Sequence, residues 1–444
     1  MNPSSLAGHV IELCELFDQN SSPPDSHAAE FFRARRYLGS HDRRVISGAV
    51  YGIVRHRRFL EALLEQFLSE HPDAADLNKM PARYVPLYAA YMVAVEHCEQ
   101  KDALTALGSR WRAIFPNTDC PNYCTWLSAN LALGFLNGAS PLVRLGVKYS
   151  FQDWMVERWH AQMKTQTEPL LQSLNSSAPI TIRVNTLKTD RDQCRTRLLS
   201  EGIESEPTRY SRSGLIVKKR FNRNTLESFR DGCFEMQDEG SQIISELCGV
   251  KPGDVVIDAC AGAGGKTLHL AELMENNGAI AAIDIDEHRL FELQSRAERA
   301  GVKIVSVYLA NRFPQADFDR KADLVLVDAP CSGSGTIRRN PNLKWTIDED
   351  LVARHAARQK ELLAINSAFV KPGGKLIYAT CSLFADENEE VVNEFLKSNT
   401  AFSLNPPSSL LTEFGLSADS GMVRLLPHVN GTDGFFVAVM KRVS

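Results

Sequence analysis

The feature that most constrains the fold is a regular alternation of apolar strands and helices in the second half of the chain. Helices are predicted to begin at Lys266 and Glu287 and to run around 351–370 and 387–397. Strand, helix and strand repeating at this spacing build a mainly parallel, doubly wound sheet. The strands that separate the helices are predicted at 255–260, 279–284, 303–309, 322–329 and 374–381, with a last strand at 434–441 that could run antiparallel. Residues 237–444 are therefore predicted to form one α/β domain.

The first half of the chain divides into two parts by its pattern of apolar residues. Residues 1–147 show helical spacing and no strand alternation, which predicts an all-α domain, with one long helix capped by Asp42 and running to Leu68. Residues 148–236 combine helices with strands at 180–185 and 214–218, which predicts a small α+β domain.

Composition narrows the classes of protein that this chain can belong to. The longest apolar run, 87–95, is far shorter than the roughly 20 residues that span a bilayer. The N-terminus lacks a basic segment followed by an apolar block, and the ten cysteines include no C-x-x-C pair. Reduced thiols, a cytoplasmic location and no membrane partner are therefore expected. Cys120 and Cys124 have no second pair at zinc spacing, so no metal site is expected.

Charge is unevenly distributed along the chain. The net charge of −4 argues against a uniformly basic surface. Nevertheless, eight arginines and a single acidic residue, Asp42, lie between Arg33 and Arg58. Such a cluster is either a solvated helix face or a surface that binds phosphate groups, and the sequence pattern leaves both open.

A glycine-rich loop follows the first strand of the α/β region. Glycines allow close backbone approach to a ligand, and the helix that follows offers free N–H groups. Asp284, 20 residues beyond Gly264, can accept hydrogen bonds from ribose hydroxyls. Cys260 stands where a triphosphate-binding loop needs glycine, and the dinucleotide pattern is absent, so S-adenosylmethionine fits best. The predicted cradle comprises Cys260, Ala261, Gly262, Ala263, Gly264, Gly265 and Lys266.

Two cysteines fall where strands give way to loops at the same predicted edge. Cys331 lies in Asp-Ala-Pro-Cys and Cys381 in Ala-Thr-Cys, and neighbouring strands are about 4.8 Å apart. A thiolate that adds to C6 of a pyrimidine activates C5 to accept a methyl group; a base then removes the C5 proton and the thiolate leaves. Asp328 either stabilises charge on the ring near N3 or caps its strand. Strand position leaves open which cysteine attacks.

These motifs resemble those of the RNA (cytosine-5)-methyltransferases over nearly the full length of the chain. The resemblance implies a NusB-like helical domain, a small α+β RNA-binding domain and a Rossmann-like S-adenosylmethionine-dependent methyltransferase domain. It rests on Asp328-Ala-Pro-Cys-Ser-Gly333, Ala379-Thr-Cys-Ser382 and Gly431-Thr-Asp-Gly-Phe-Phe436, and earlier on Tyr37-Leu-Gly39, Asp42-Arg-Arg44, Val50-Tyr-Gly-Ile-Val-Arg55, Ile182-Arg-Val-Asn185 and Phe234-Glu-Met-Gln-Asp-Glu-Gly-Ser241.

The resemblance also implies roles for single residues. Cys381 would be the nucleophile, Cys331 would assist later steps and product release, and Lys266 would lie in the active site. Two positions depart from the family pattern. Ala263 replaces a usual proline, and Ala310 stands where an acidic residue usually meets the adenine side of the cofactor. Asn311 is the expected substitute, and it joins Asp284 and Asp328 among the predicted cofactor contacts.

The expected activity is methylation of a cytosine in RNA, most readily small-subunit ribosomal RNA, by a monomer that does not act on DNA. The target base must leave its stack to reach the thiol. Arg183 and Asn185, which share a strand face, favour structured RNA as the partner. The alternatives are an RNA-binding or ribosome-assembly scaffold without turnover and a methyltransferase that acts on DNA or on transfer RNA.

Overall fold

The chain forms two compact units in the computed structural model, which describes residues 1–19, 24–80, 82–418 and 420–443. The first unit comprises residues 1–175 and 340–346, and the second comprises 176–339 and 347–444. Residues 148–175 group with the first unit because their helices pack against its other helices. The division into three domains, with boundaries at 147 and 236, stays a prediction.

The first unit is helical throughout its described residues. Buried apolar side chains between residues 7 and 127 form one continuous cluster in this unit. Among the described residues no helix has both the length and the apolar character that crossing a membrane requires. A one-turn helix at Leu343–Thr346 belongs to this unit. The other helices are α1 (Pro3–Gln19), α2 (Pro24–Ala34), α3 (Ser40–Arg55), α4 (Arg57–Glu70), α5 (Tyr84–Ala94), α6 (Gln100–Ile114), α7 (Cys120–Asn130), α8 (Pro141–Tyr149), α9 (Asp153–Met163) and α10 (Thr167–Asn175).

The prediction of one long helix capped by Asp42 is wrong. The helix is interrupted at His56, whose backbone (φ −108°, ψ 15°) separates α3 from α4. Gly39 is the N-cap residue of α3, and Asp42 lies in the first turn, where its Oδ2 accepts a hydrogen bond from the Gly39 N–H at 3.3 Å. A carboxylate at this position satisfies a free backbone donor and complements the helix dipole.

A buried lysine ties residues 340–346 to the rest of the first unit. Lys344 is fully buried. Its Nζ donates to the carbonyl oxygens of Arg55 (2.8 Å) and Tyr149 (3.1 Å) and to Oδ1 of Asn175 (2.5 Å). The same atom lies 3.8 Å from the ring centroid of Phe151. Burial, reinforced by Arg55, lowers the pKa of Lys344 well below its usual value.

The second unit contains two sheets. The smaller sheet is antiparallel, with strand order β2-β3-β1-β4, and consists of β1 (Ile180–Val184), β2 (Ser205–Pro207), β3 (Gly214–Val217) and β4 (Phe234–Met236). The larger sheet has the order β10-β12-β9-β8-β5-β6-β7, with β11 paired to β12. Its strands are β5 (Val255–Asp258), β6 (Ala279–Asp284), β7 (Val305–Leu309), β8 (Ala322–Asp328), β9 (Val370–Thr380), β10 (Phe402–Leu404), β11 (Met422–Leu425) and β12 (Phe435–Arg442).

The predicted α/β architecture is confirmed. Strands β5 to β9 pair in parallel, and the last strand, β12, pairs antiparallel with β9. The helices of this part of the chain are α11 (Arg191–Ser200), α12 (Glu227–Arg230), α13 (Glu239–Cys248), α14 (Gly265–Leu273), α15 (Glu287–Ala300), α16 (Gln315–Phe318), α17 (Leu343–Thr346, of the first unit), α18 (Glu349–Ser367), α19 (Glu389–Ser398), α20 (Ser408–Phe414) and α21 (Pro427–Asn430).

Arg183 and Asn185 lie inside the second unit. Both side chains are fully buried, so the expectation that they contact RNA is wrong. Arg183 donates to both carboxylate oxygens of Glu272, at 3.0 and 2.8 Å, and to the Gly265 carbonyl at 2.8 Å. The Asn185 amide donates to two backbone carbonyls. Arg183 therefore joins the small sheet to α14, the helix that follows the glycine-rich loop, and Asn185 bonds to the carbonyl of Ala300 at the end of α15.

Replacement of Lys344 by methionine tests the anchoring role of that side chain. The variant removes the Lys344 donor from three partly buried acceptors, of which the Tyr149 carbonyl keeps a second donor, the Asn175 amide, so we expect the first unit to lose roughly 1–3 kcal/mol of stability. All five tryptophans of the chain lie in this unit, so tryptophan fluorescence during urea unfolding reports on it. Lys101→Met is the matched control, because the Lys101 side chain is 75% exposed. Equal unfolding midpoints for the two variants would contradict the role.

Candidate active site

Three loops of the second unit meet at one edge of the larger sheet. Strands β5, β8 and β9 are neighbours and run in parallel, so the loops that follow them open on the same side. In the register, Asp258 of β5 pairs with Leu326, and Asp328 of β8 pairs with Ala379 of β9. The carboxyl edge of such a sheet is where ligands bind. The prediction that the three motifs converge is therefore confirmed.

The glycine-rich loop has the backbone conformation of a ligand cradle. Gly262 and Gly264 have positive φ angles of +53° and +85°. A side chain at Gly264 would lie 2.5 Å from Leu293 Cγ, whereas the space beside Gly262 is open. The carbonyl of Ala263 accepts a 2.7 Å hydrogen bond from Arg296, which restrains the loop at the position where a proline was expected.

Asp284 is bound to this cradle. It ends β6 and is 8% exposed; its Oδ2 accepts from the Gly262 N–H at 2.8 Å and its Oδ1 from the Asp286 N–H at 2.9 Å. Each carboxylate oxygen can accept more than one hydrogen bond, which leaves capacity for ribose hydroxyls. The residues present therefore fit a ribose-bearing cofactor.

Two other predicted cofactor residues lie at the edge of the cradle. Asn311 is exposed in the turn after β7, two residues beyond Leu309, which pairs with Asp284. Its neighbour Ala310 packs against the core and offers no polar group. Burial raises the pKa of the Cys260 thiol. This thiol is therefore protonated and unreactive at neutral pH, and its role in the loop is to pack.

The two predicted catalytic cysteines are in contact. Their sulfur atoms are 3.4 Å apart, and both residues are half-buried. The hydrogen bond with Cys381, together with burial, holds the pKa of Cys331 well above its ordinary value. Cys331 is therefore a neutral thiol near pH 7, and a neutral thiol is a weak nucleophile. The geometry places both sulfur atoms where they could contact the same substrate atom.

An ion pair lies beside the thiols. Lys266 Nζ donates to Asp328 Oδ2 at 2.6 Å, and Lys266 is only 9% exposed. Burial lowers the pKa of Lys266, but Asp328, and to a smaller extent Cys381, raise it by more, so the net shift is upward. Lys266 therefore remains a cation, which stabilises an anionic thiolate nearby. Asp328 is engaged by this lysine and does not serve as a strand cap.

Glu387 holds the two thiol loops together, and the sequence analysis missed it. This carboxylate is fully buried. It accepts hydrogen bonds from the backbone N–H (2.8 Å) and hydroxyl (2.5 Å) of Ser332, from the hydroxyl of Ser382, and from the amide of Gln359 (3.2 Å). Ser332 follows Cys331 and Ser382 follows Cys381, so one buried acid positions both sulfur atoms.

Two glycines complete the contact between these loops. The Gly335 N–H donates to the carbonyl of Cys381 at 2.8 Å, and the Gly434 N–H donates to the carbonyl of Gly335 at 2.9 Å. A side chain on Gly335 would lie 2.1 Å from the Gly434 oxygen. Only glycine therefore allows this approach. Among the described residues, no group of His, Cys, Asp and Glu side chains forms a metal site.

The chain is similar to known proteins in its sequence and in its fold. A family model described as 16S rRNA methyltransferase RsmB/F matches residues 247–441, and one described as the ferredoxin-like domain of RsmF/B-like methyltransferases matches 151–223. The chain is 33% identical to the probable ribosomal RNA small subunit methyltransferase B of Bacillus subtilis (strain 168), over the full length of both.

Two solved structures are similar. PH0851 superposes with a TM-score of 0.77 at 30% identity, covering 100% of this chain and 99% of that one. A methyltransferase homologue from Pyrococcus horikoshii superposes with a TM-score of 0.59 at 29% identity, covering 68% of this chain and 99% of that one.

The raised pKa of the Cys331 thiol predicts that this cysteine resists alkylation. Brief treatment with iodoacetamide at pH 8 should modify Cys381 before Cys331, because the thiolate is the reactive form and the pKa of Cys331 is raised. Peptide mass spectrometry measures the ratio. Cys248 is an internal control: it is fully buried and its thiol pKa is raised to about 12, so it should stay unmodified. Faster modification of Cys331 would contradict the assignment.

Proposed function

The chain belongs to the 16S rRNA methyltransferase RsmB/F family, and we propose that it methylates C5 of a cytosine in small-subunit ribosomal RNA through a covalent adduct. S-adenosylmethionine is its cofactor. The observation that carries the proposal is the pair of thiols 3.4 Å apart beside the Lys266–Asp328 ion pair. Transfer to carbon 5 of a pyrimidine needs such a thiol, because this carbon is not nucleophilic without an addition at C6.

The glycine-rich loop and its neighbours would hold the cofactor. Backbone N–H groups at the start of α14 face the loop, and Asp284 is placed to accept hydrogen bonds from ribose hydroxyls. Asn311 lies at the adenine side of the same edge in this proposal. When bound, S-adenosylmethionine supplies an electrophilic methyl group on a sulfonium centre.

Cys381 is the nucleophile in the proposed mechanism. Its sulfur adds to C6 of the flipped cytosine, and the Lys266 cation stabilises the thiolate before the attack. Asp328 faces the ring edge, where it can accept a hydrogen bond from the cytosine amino group, and the Lys266 cation stabilises the negative charge that develops on the ring. After methyl transfer, a base removes the C5 proton and Cys381 leaves. Cys331, a protonated thiol beside the attacking sulfur, acts in these later steps and in product release.

The helical unit is the proposed NusB-like RNA-binding domain. Six arginines of its cluster fall into two sets, which differ in whether they form ion pairs or are exposed. Arg35, Arg57 and Arg58 form ion pairs with acidic residues of the same unit. Other arginines, Arg33, Arg36 and Arg44, are exposed, as is Tyr37 with 65% of its surface accessible. These exposed side chains, and not the whole cluster, are the proposed phosphate contacts.

Bisulfite sequencing of total RNA tests the activity. Cells that lack the gene should lose one methylated cytosine in small-subunit ribosomal RNA, and the wild-type gene should restore it. The Cys381→Ser variant should not, because a serine hydroxyl is not ionised at neutral pH. A methylation pattern that is unchanged by deletion, or restored by Cys381→Ser, would contradict the proposal.

The Cys331→Ala variant separates attack from release. Without the second thiol, the adduct between Cys381 and the RNA should form and persist, so a denaturing gel should show a protein band retarded by bound RNA. The band should need both S-adenosylmethionine and RNA. Cys331→Ala/Cys381→Ser is the control, since it lacks the attacking sulfur. Equal retarded bands in the single and double variants would assign the adduct to another residue.

A further inference from the structure

A cavity of about 630 Å³ opens in the second unit beside the candidate active site. Its walls come from the start of β1, from residues 220–224, from the end of β4 and from Arg339 and Asp433. Its volume lies within the roughly 300–1,000 Å³ typical of small-ligand sites. Lys266, Asp328 and the two thiols do not line it, so it is not the pocket of the reacting base.

One wall carries a buried hydroxyl without a partner. Thr181 is 4% exposed, and its Oγ1 has no hydrogen-bond partner among the described residues. The same residue lines the cavity. A buried polar atom that lacks a protein partner is costly unless a ligand or water bonds to it. Thr181 therefore indicates a polar ligand.

The opposite wall combines positive charge with an aromatic ring. Residues 218–223 read Lys-Lys-Arg-Phe-Asn-Arg, and Arg220 and Arg223 are exposed at the cavity. Between them Phe221 is half-buried and lines the cavity as well. Arginines that bind phosphate groups, together with a ring on which a base stacks, are the usual elements of a site for single-stranded nucleic acid.

The remaining wall is linked to the thiol loops. Arg339 donates to Asp238 at 2.7 Å and also pairs with Asp433. Asp433 directly precedes Gly434, whose N–H bonds to the carbonyl of Gly335, and Gly335 in turn bonds to the carbonyl of Cys381. Hydrogen-bonded backbone therefore connects this wall to the nucleophile.

We propose that this cavity binds a nucleotide adjacent to the target cytosine in a single-stranded segment of the RNA substrate, an inference that rests on the proposed function. Arg220 and Arg223 bind its phosphates, Phe221 stacks on its base, and the Thr181 hydroxyl bonds to a polar edge. The cavity thus recognises the nucleotide that flanks the target cytosine, while the thiols react with the cytosine itself.

The first test uses the full chain and a fluorescent single-stranded RNA oligonucleotide with the target cytosine at its centre. An abasic site is placed at each flanking position in turn. At one position, loss of the base should weaken binding to the wild type by roughly 5- to 100-fold. The same abasic site should have little effect on Phe221→Ala. Equal losses for both proteins at every position would overturn the proposal.

The second test uses variants that leave the packing of the unit intact. Arg220→Ala should reduce the slope of log Kd against log salt concentration by about 0.7, the value for one phosphate contact on a single strand. Arg195→Ala is the matched control, because Arg195 is exposed on α11 and does not line the cavity. Thr181→Val should weaken binding without changing the slope. Identical slopes for Arg220→Ala and Arg195→Ala would contradict the assignment.

The two proposals can fail separately. Methyl transfer to the same oligonucleotide is measured for the wild type in parallel. A wild type that binds but does not methylate any cytosine would refute the proposed function. A wild type that methylates, with Phe221→Ala and Arg220→Ala unchanged in KM and in salt dependence, would refute the cavity assignment alone.

Discussion

The buried ion pair between Arg183 and Glu272 is the interaction on which the second unit depends. Four hydrogen bonds satisfy the guanidinium: two to Glu272, one to the Gly265 carbonyl and one to Gln237. Burying a charge costs several kcal/mol unless its partners replace the water, and here they do. One cation therefore joins β1 to the start of α14. The small sheet and the cofactor loop behave as one body because neither can move without breaking this set of bonds.

The Arg183–Glu272 pair also affects two neighbouring side chains, His269 and Gln237. Burial, with the nearby Arg183, lowers the pKa of His269 well below its usual value, so this histidine stays neutral inside α14. Gln237 accepts from Arg183 and also lines the cavity beside the active site. The glycine cradle, the small sheet and the cavity are consequently positioned by one network. Glu387 holds the two thiol loops together in a similar way. Its buried carboxylate accepts hydrogen bonds from Ser332, Ser382 and Gln359.

The sequence predicted the features that depend on local pattern. Strand alternation located β6 and the start of α15 without error, and strand ends predicted that Cys331 and Cys381 would meet. It did not predict features that depend on which charges are buried. Arg183 and Asn185 share a strand face, which favours RNA as a partner only if that face is exposed, and it is buried. Glu387 lies in the acidic run Asp-Glu-Asn-Glu-Glu, which is typical of a solvated helix start. Tertiary contact, and not local pattern, places these residues in the interior.

Lys344 has a consequence for the order in which the chain is made. Its partners Arg55, Tyr149 and Asn175 are synthesised before it, and 164 residues, 176–339, come in between. At roughly 5–20 residues per second this interval lasts about 8–33 s. During that time the three acceptors lack the Lys344 donor, although the Tyr149 carbonyl can already accept from the Asn175 amide. The first unit begins to leave the ribosome first, yet it is completed only after the strand that carries Asp328 has been made.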